Sequence, residues 1–516
     1  MLAAVGAATL LGAEGHCVVV EVHVSTGLPG FVVVGQPDGT CREARDRVRA
    51  ALLSSGLPWP TTRVTVNLAP ATLPKVGASL DLPIAVGLLV AVGAIPPAQI
   101  EGRSFLGELG LDGSVRRFAG AVALVDAIQD EEAVVAEACA AEASLLGRHR
   151  IRGVATLLEV ADALRGLAPW PERSWPVPLE RPAVTPDLAD VRGQSTARLA
   201  LETAAAGGHH LLLSGPPGAG KTMLARRLPG LLPPLTVADA VDVLRIHSAA
   251  GVTIRSTSLP TTPPLRAPHH LASSVALLGG GSQTMRPGEL SCAHHGVLFL
   301  DEMGEFPASV LDALRQPLEE GIVRVERARA SVVFPAKFLL IGATNPCPCG
   351  WAQPPGPIPM NSEVTTPPCR CSPAQLQRYA RRLSGPLLDR FDLRVAMHRP
   401  EVEELLESGR EESTATVAGR VREARLRASE RGVTVNADLP ASRLDSCAAL
   451  SPGARLLVEN QLRRGGLTAR GLARVRRVSR TLADLWGEDP SAPLTARTVS
   501  VALEMRRPLS FDATAA

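Results

Sequence analysis

Leu211-Leu212-Leu213-Ser214-Gly215-Pro216-Pro217-Gly218-Ala219-Gly220-Lys221-Thr222 is the stretch on which the reading of this chain turns. From Gly215 it satisfies G-x-x-x-x-G-K-[ST] at every fixed position, with an apolar run before it and a helical pattern over 223–228 after it. A glycine-rich turn between a strand and a helix lets backbone N–H groups wrap an anion at the positive end of the helix. Gly215, Pro216, Pro217, Gly218, Ala219, Gly220, Lys221 and Thr222 are therefore the candidate nucleotide ligands. Lys221 is placed to reach the β- and γ-phosphates of ATP, and Thr222 to offer its hydroxyl to Mg²⁺. An ordinary glycine-rich turn is the bland alternative, and a second motif weighs against it.

That motif is Gly296-Val297-Leu298-Phe299-Leu300-Asp301-Glu302, an apolar strand ending in two carboxylates. Asp301 is expected to hold Mg²⁺ and Glu302 to polarise an attacking water. Paired acids after a strand also serve as helix caps, but downstream of a phosphate loop they read as its partner.

Composition bounds the rest. The 516 residues imply two to four domains, and 45% hydrophobic with 20% charged residues is a folded composition. A formal net charge of +3 neither demands nor excludes nucleic acid, so any basic surface is local. Among 54 basic residues only Lys75, Lys221 and Lys337 are lysines; Lys221 fits a position where arginine does not serve, and for Lys75 and Lys337 chance is the alternative. Residues 2–13 mimic a secretory signal but lack a basic leader and run into a strand pattern, so they read as the first hairpin of a domain. No stretch is long enough to span a bilayer. The protein is read as cytoplasmic, with its nine cysteines reduced or metal-bound.

Along the chain, residues 1–167 alternate strand and helix patterns as one α/β unit. Residues 168–186 carry six prolines and read as a stiff linker. Residues 187–399 hold both ATP motifs. Here 308–319 is expected as one helix, 322–334 as a β-hairpin and 338–345 as a buried strand. The loop-rich stretch 265–289 contains His269-His270, and His294-His295 follows; with no acid and no cysteine but Cys292 at ligand spacing, these read as hydrogen-bonded loop histidines. Cys347, Cys349, Cys369 and Cys371 offer four thiolates suited to one structural Zn²⁺, and free thiols fit the sequence as well. Residues 400–516 are helical, with helices expected at 401–408, Thr414–Glu430, 452–464, 469–486 and 496–506. Arg474, Arg476, Arg477 and Arg480 predict a solvated basic face on the fourth of these.

Several segments carry a family resemblance. Gly27-Leu28-Pro29-Gly30-Phe31, Asn67-Leu68-Ala69-Pro70 and Asp81-Leu82-Pro83-Ile84-Ala85 resemble the Lon-protease-like (ribosomal S5 domain 2-like) fold, in the version fused to magnesium-chelatase-like ATPases. The segment Pro74–Ser79 resembles the Lon serine segment, yet no lysine lies near 120–123 to activate Ser79. The resemblance therefore implies the fold without peptide cleavage. With Asn345-Pro346-Cys347-Pro348-Cys349-Gly350, the whole chain outside the linker resembles the YifB/ComM group of magnesium-chelatase-like AAA+ ATPases. That implies an α/β multidomain chain with a Lon-like N-terminal domain, an AAA+ P-loop domain and a C-terminal helical lid. It implies Asn345 as the residue sensing the γ-phosphate, Arg390 as an arginine finger reaching a neighbouring subunit's site, and Arg470 as the lid arginine at the nucleotide. It further implies a homo-hexameric ring acting as a helicase-type DNA motor in natural transformation, with the hairpin arginines Arg324, Arg327 and Arg329 facing DNA in a pore. A chelatase-type ATPase remodelling a protein partner for metal insertion is the alternative.

Overall fold

Two-residue alternation builds the first sheet. In Leu2–Leu11 (β1) and Glu14–Ser25 (β2), Ala3, Val5, Ala7, Val18, Val20 and Val22 all point inward and are buried. The strands pair antiparallel from Leu2↔His23 to Leu11↔Glu14. Gly12 closes the turn at φ +69°, a left-handed conformation that costs glycine little. The signal-like N-terminus is thus the first strand of a hairpin. The computed structural model describes residues 1–172, 186–254, 258–281, 285–327, 330–352, 367–383, 385–400, 411–507 and 509. Arg329, the side chain of Arg327, the expected helix 401–408 and most of the expected linker lie outside the described residues.

Five more strands complete this sheet: Gly30–Val34 (β3), Arg63–Ala69 (β4), Arg103–Leu106 (β5), Glu132–Ala136 (β6) and Arg150–Val154 (β7). The order is β3-β4-β2-β1-β5-β6-β7. Helices Gly39–Ser54 (α1) and Asp81–Ala91 (α2) contribute to its core. Every residue of α2 is buried, including Asp81, whose carboxylate takes a two-pronged hydrogen bond from Arg47 of α1 at 2.6 and 2.9 Å. Lys75 is fully buried and donates from Nζ to the Pro70 carbonyl; burial lowers its pKa.

The second sheet is parallel throughout. Its strands are Leu211–Ser214 (β8), Leu265–Arg266 (β9), Val297–Leu300 (β10), Leu339–Thr344 (β13) and Leu393–Ala396 (β14), in the order β9-β10-β13-β8-β14. Between β10 and β13 the chain makes the antiparallel hairpin Ile322–Arg327 (β11) and Ala330–Pro335 (β12). Both faces of the sheet are covered, which is why its strands read as unbroken apolar runs. Leu211 and Leu213 face one core while Leu212 faces another.

The C-terminal region is helical: Thr414–Glu430 (α10), Pro452–Arg463 (α11), Ala469–Leu485 (α12) and Ala496–Glu504 (α13). Val417, Val421 and Ala424 lie on one face of α10 and share a core with Leu211, Leu213 and Phe299 of the sheet. Here the structure corrects the expectation for α12. Its arginines do not form a solvated face: Arg480 is 1% exposed and bridges to Asp484 at 3.2 Å, Arg474 lies 3.5 Å from Asp392, and Arg477 donates to the Leu439 carbonyl. Composition misled because Asp392 and the Leu439 carbonyl, which receive Arg474 and Arg477, come from other segments, and Asp484, which receives Arg480 from the same helix, is itself buried. The expected single helix at 308–319 is also two, Ala308–Ala313 and Arg315–Glu320 (α8), since Pro317 has no N–H to continue the ladder.

The two sheet units touch. Helix Ala121–Ala127 (α3) packs against Val237–Ala250 (α7), where Gly120 N–H donates to the Ser248 carbonyl at 2.9 Å and Asp126 pairs with Arg245. The β1–β2 turn lies on the hairpin; a Cβ on Gly12 would fall 2.5 Å from Val332 Cγ1.

Candidate functional site

Three neighbouring strands, β10, β13 and β8, end side by side, and a ligand is expected at the carboxyl end of such a sheet. They deliver Asp301 and Glu302, Asn345, and the loop from Gly215. A cleft of about 420 Å³ opens there, lined by residues 217–223 with Asp301, Glu302, Thr344 and Asn345. The loop owes its path to its glycines. Gly220 takes φ +89°, and a Cβ on Gly215 would stand 2.6 Å from the Met397 carbonyl oxygen.

Lys221 Nζ donates to the carbonyls of Gly215 at 2.6 Å and Pro216 at 3.0 Å and to Asn345 Oδ1 at 3.1 Å. Burial lowers its pKa to about 8, opposed by the charges of Asp301 and Glu302. An incoming phosphate would replace weak carbonyl partners with a full negative charge. The Thr222 hydroxyl donates to Asp301 Oδ2 at 2.7 Å, so a hydroxyl and a carboxylate oxygen converge on one point beside the loop. That pair fits Mg²⁺, which takes one or two protein oxygens and completes its shell with phosphate and water.

Glu302 adopts φ +50°, rare for a residue with a side chain, and its half-exposed carboxylate lies 3.3 Å from His270 Nδ1. The carbonyl of Asn345 accepts from the Tyr379 hydroxyl at 3.1 Å, and Tyr379 also bonds to Thr344 Oγ1 at 2.9 Å. Tyr379 is on Pro373–Arg382 (α9) and fits only because Gly304 leaves room; a Cβ there would lie 2.3 Å from its hydroxyl. Sequence reasoning missed His270 as a partner of Glu302 and missed Tyr379 altogether. The one available signal for the latter is that it is the chain's single tyrosine.

Arg390 and Arg470 do not line the cleft of their own chain. Arg390 is 11% exposed at its side chain and tied to Glu319 on α8. Arg470 is exposed in the first turn of α12. Arg324 is on the outer face of β11 beside Glu326, 3.6 Å from Glu320.

The four cysteines gather. Sγ–Sγ distances are 3.3 Å for Cys347–Cys349, 3.8 Å for Cys347–Cys369 and 3.6 Å for Cys349–Cys369, and Cys371 completes a group within 4.8 Å. A tetrahedral Zn²⁺ with bonds of about 2.3 Å has sulfur–sulfur edges of about 3.8 Å. The thiols thus fit that metal.

The fold also corrects the reading that no acid accompanies the histidine pairs. Asp239 and Asp242 of α7 reach His295 Nε2 at 3.4 and 4.0 Å. His294 accepts from the Lys337 N–H at Nδ1, 2.9 Å away, and burial lowers its pKa to about 4. A neutral ring accepting at Nδ1 carries its proton on Nε2 and has no lone pair left for a metal. Hydrogen-bonded loop histidines remain the better description.

Comparison with known proteins agrees with this geometry. Residues 187–405 match the family model described as magnesium chelatase, subunit ChlI; 20–138 match subunit ChlI of Mg-chelatase, and 411–506 the subunit ChlI C-terminal model. The chain is 45% identical over 483 residues to an uncharacterized protein of Mycobacterium tuberculosis, covering 92% of this chain and 93% of that one. It is 41% identical over 496 residues to the competence protein ComM of Haemophilus influenzae, covering 94% of each. It is 39% identical over 507 residues to the uncharacterized protein YifB of Escherichia coli, covering 96% and 95%.

Proposed function

The chain belongs to the YifB/ComM family of magnesium-chelatase-like proteins, and we propose on that premise that it is an ATP-hydrolysing ring motor acting on DNA. The observation that carries the ATPase reading is the convergence at the strand ends. Lys221 is held on loop carbonyls and Asn345, while the Thr222 hydroxyl and Asp301 share one hydrogen bond. The loop N–H groups and Lys221 bind the triphosphate. Thr222 and Asp301 would hold Mg²⁺, which when bound would supply positive charge beside the phosphates. Glu302 orients and deprotonates the attacking water. Asn345 turns from Lys221 to the γ-phosphate. Arg390 leaves Glu319 to enter a neighbour's site, and Arg470 closes the lid over the nucleotide.

The DNA reading draws support from full-length similarity to a competence protein and from the arginine-bearing hairpin. We read residues 1–167 as a Lon-like domain without peptidase chemistry, 168–186 as a linker, 187–399 as the AAA+ domain and 400–516 as the lid. The four thiols hold one structural Zn²⁺, and the protein works as a cytoplasmic hexamer. No described helix is long and apolar enough to cross a membrane. A second reading, ATP-driven remodelling of a metal-inserting partner, draws on the chelatase descriptions of all three family matches, including that of the N-terminal unit. Binding and ATP turnover with forked, four-way and single-stranded DNA separate the two. Salt-sensitive binding with stimulated turnover supports the motor, and no response to any DNA favours the second.

A further inference from the structure

We propose that metal bound at Cys347, Cys349, Cys369 and Cys371 controls how tightly the phosphate loop holds nucleotide. This rests on the Zn²⁺ reading above and extends it from a structural clip to a regulator of the ATP site.

Two chain connections and one packing contact join the cluster to the cleft. Cys347 follows Asn345 by two residues, so the first thiol pair continues the strand that carries Asn345. Cys371 stands directly before Ser372, the N-cap of α9, and α9 carries Tyr379, whose hydroxyl holds the Asn345 carbonyl at 3.1 Å. A metal that joins the two thiol pairs thereby ties the end of β13 to the start of α9, with Asn345 fixed between them. The packing contact reaches the phosphate loop itself. Gly350 lies against Pro217 so closely that a Cβ would fall 2.6 Å from Pro217 Cδ. Next to it, the Trp351 ring lies under the Arg399 guanidinium at 4.6 Å, and Arg399 Nε donates to the Pro217 carbonyl at 3.2 Å.

Residues 349–351 are thus a brace on the back of the phosphate loop, anchored by the thiols. Nineteen residues separate Cys349 from Cys369, and closing such a connection costs entropy that metal binding offsets. Without metal, Gly350 and Trp351 lose their anchor and the Pro217 segment gains freedom. Nucleotide binding then has to order the segment, which lowers affinity. The thiols sense metal supply, and the cleft registers it.

The test uses full-length protein purified under reductant without chelator. Metal content is measured by mass spectrometry. Affinity for a fluorescent ADP analogue is measured as purified, after chelation and gel filtration, and after adding back Zn²⁺. One metal per chain is expected, with affinity weakened roughly tenfold on removal, the scale of one lost packing and hydrogen-bond anchor, and restored by Zn²⁺. Trp351→Ala should keep its metal, bind the analogue more weakly, and respond less to chelation. Metal present with affinity indifferent to its removal overturns the coupling and leaves the Zn²⁺ reading standing. Absence of metal in the reduced protein overturns both. Failure to bind the analogue in the metal-loaded form overturns the coupling together with the nucleotide reading. If stripping unfolds the chain, Trp351→Ala decides, and unchanged affinity in that variant overturns the proposal.

Discussion

Lys221 Nζ lies 3.1 Å from Asn345 Oδ1, joining residues 124 positions apart across the mouth of one cleft. The contact couples the cation proposed to bind phosphate to the residue proposed to sense the γ-phosphate. Whatever draws Lys221 onto phosphate frees the Asn345 amide to turn toward the nucleotide.

Burial lowers the Lys221 pKa to about 8, and the sign of the resulting pH effect follows. Below that value the ammonium is already formed and affinity for ATP is flat with respect to this group. Above it, binding must take up a proton, so affinity falls by up to about tenfold per pH unit. Titrations from neutral to strongly alkaline pH check this, with Lys221→Arg, which does not titrate there, as the control. A flat wild-type profile rejects it.

Glu302→Gln should bind ATP normally and lose hydrolysis by about 10² to 10⁴-fold, the usual contribution of a positioned general base. His270→Ala removes the partner 3.3 Å from the Glu302 carboxylate and should lower kcat with KM unchanged. Normal turnover in Glu302→Gln would remove Glu302 from the chemistry.

Glu319 holds Arg390 inside its own chain, so the finger role requires that bond to break. Lys221→Ala and Arg390→Ala proteins, each inactive alone, should regain partial ATPase activity when mixed, since some interfaces then hold both groups. Glu319→Gln should raise basal turnover by freeing Arg390. An active monomer, or no rescue on mixing, would refute action across an interface.

In the N-terminal unit, the two partners of the Arg47–Asp81 pair should not be equally costly to lose. Asp81 is 1% exposed and Arg47 18% exposed at their side chains. Arg47→Ala strands a buried carboxyl and should destabilise the unit by about 3 kcal/mol. Asp81→Ala leaves a guanidinium that still reaches solvent and the Thr40 carbonyl, and should cost less. Denaturant melts of the two variants check the order, and equal losses contradict it.

Arg327→Ala with Arg329→Ala tests the pore reading. The pair should spare the hexamer and basal turnover, abolish DNA stimulation and flatten the salt dependence of binding, because released counterions report phosphate contacts. Unchanged binding and unwinding by an intact mutant ring removes these arginines from the DNA path, and a broken ring assigns them to subunit contacts.

Local rules placed much of this protein in the sequence. The phosphate-loop spacing fixes Lys221 and Thr222 as neighbours in the first turn of a helix, and the apolar run before Asp301 makes a buried strand, because both depend only on neighbours along the chain. Helix Thr414–Glu430 was legible to the residue because its apolar face repeats with helical period and Ser413 caps it. Tertiary structure alone decided which strand ends stand together, because parallel strands are joined through long crossovers and their order is not written locally. It placed Asn345 against Lys221, His270 against Glu302, and Tyr379 behind Asn345. It also turned arginines of α12 inward, since Asp392 and the Leu439 carbonyl, the partners of Arg474 and Arg477, come from segments remote in sequence. The thiol cluster divides the same way: four cysteines are visible in the chain, and only the fold brings them within 4.8 Å of one another and sets the neighbouring Gly350 against Pro217.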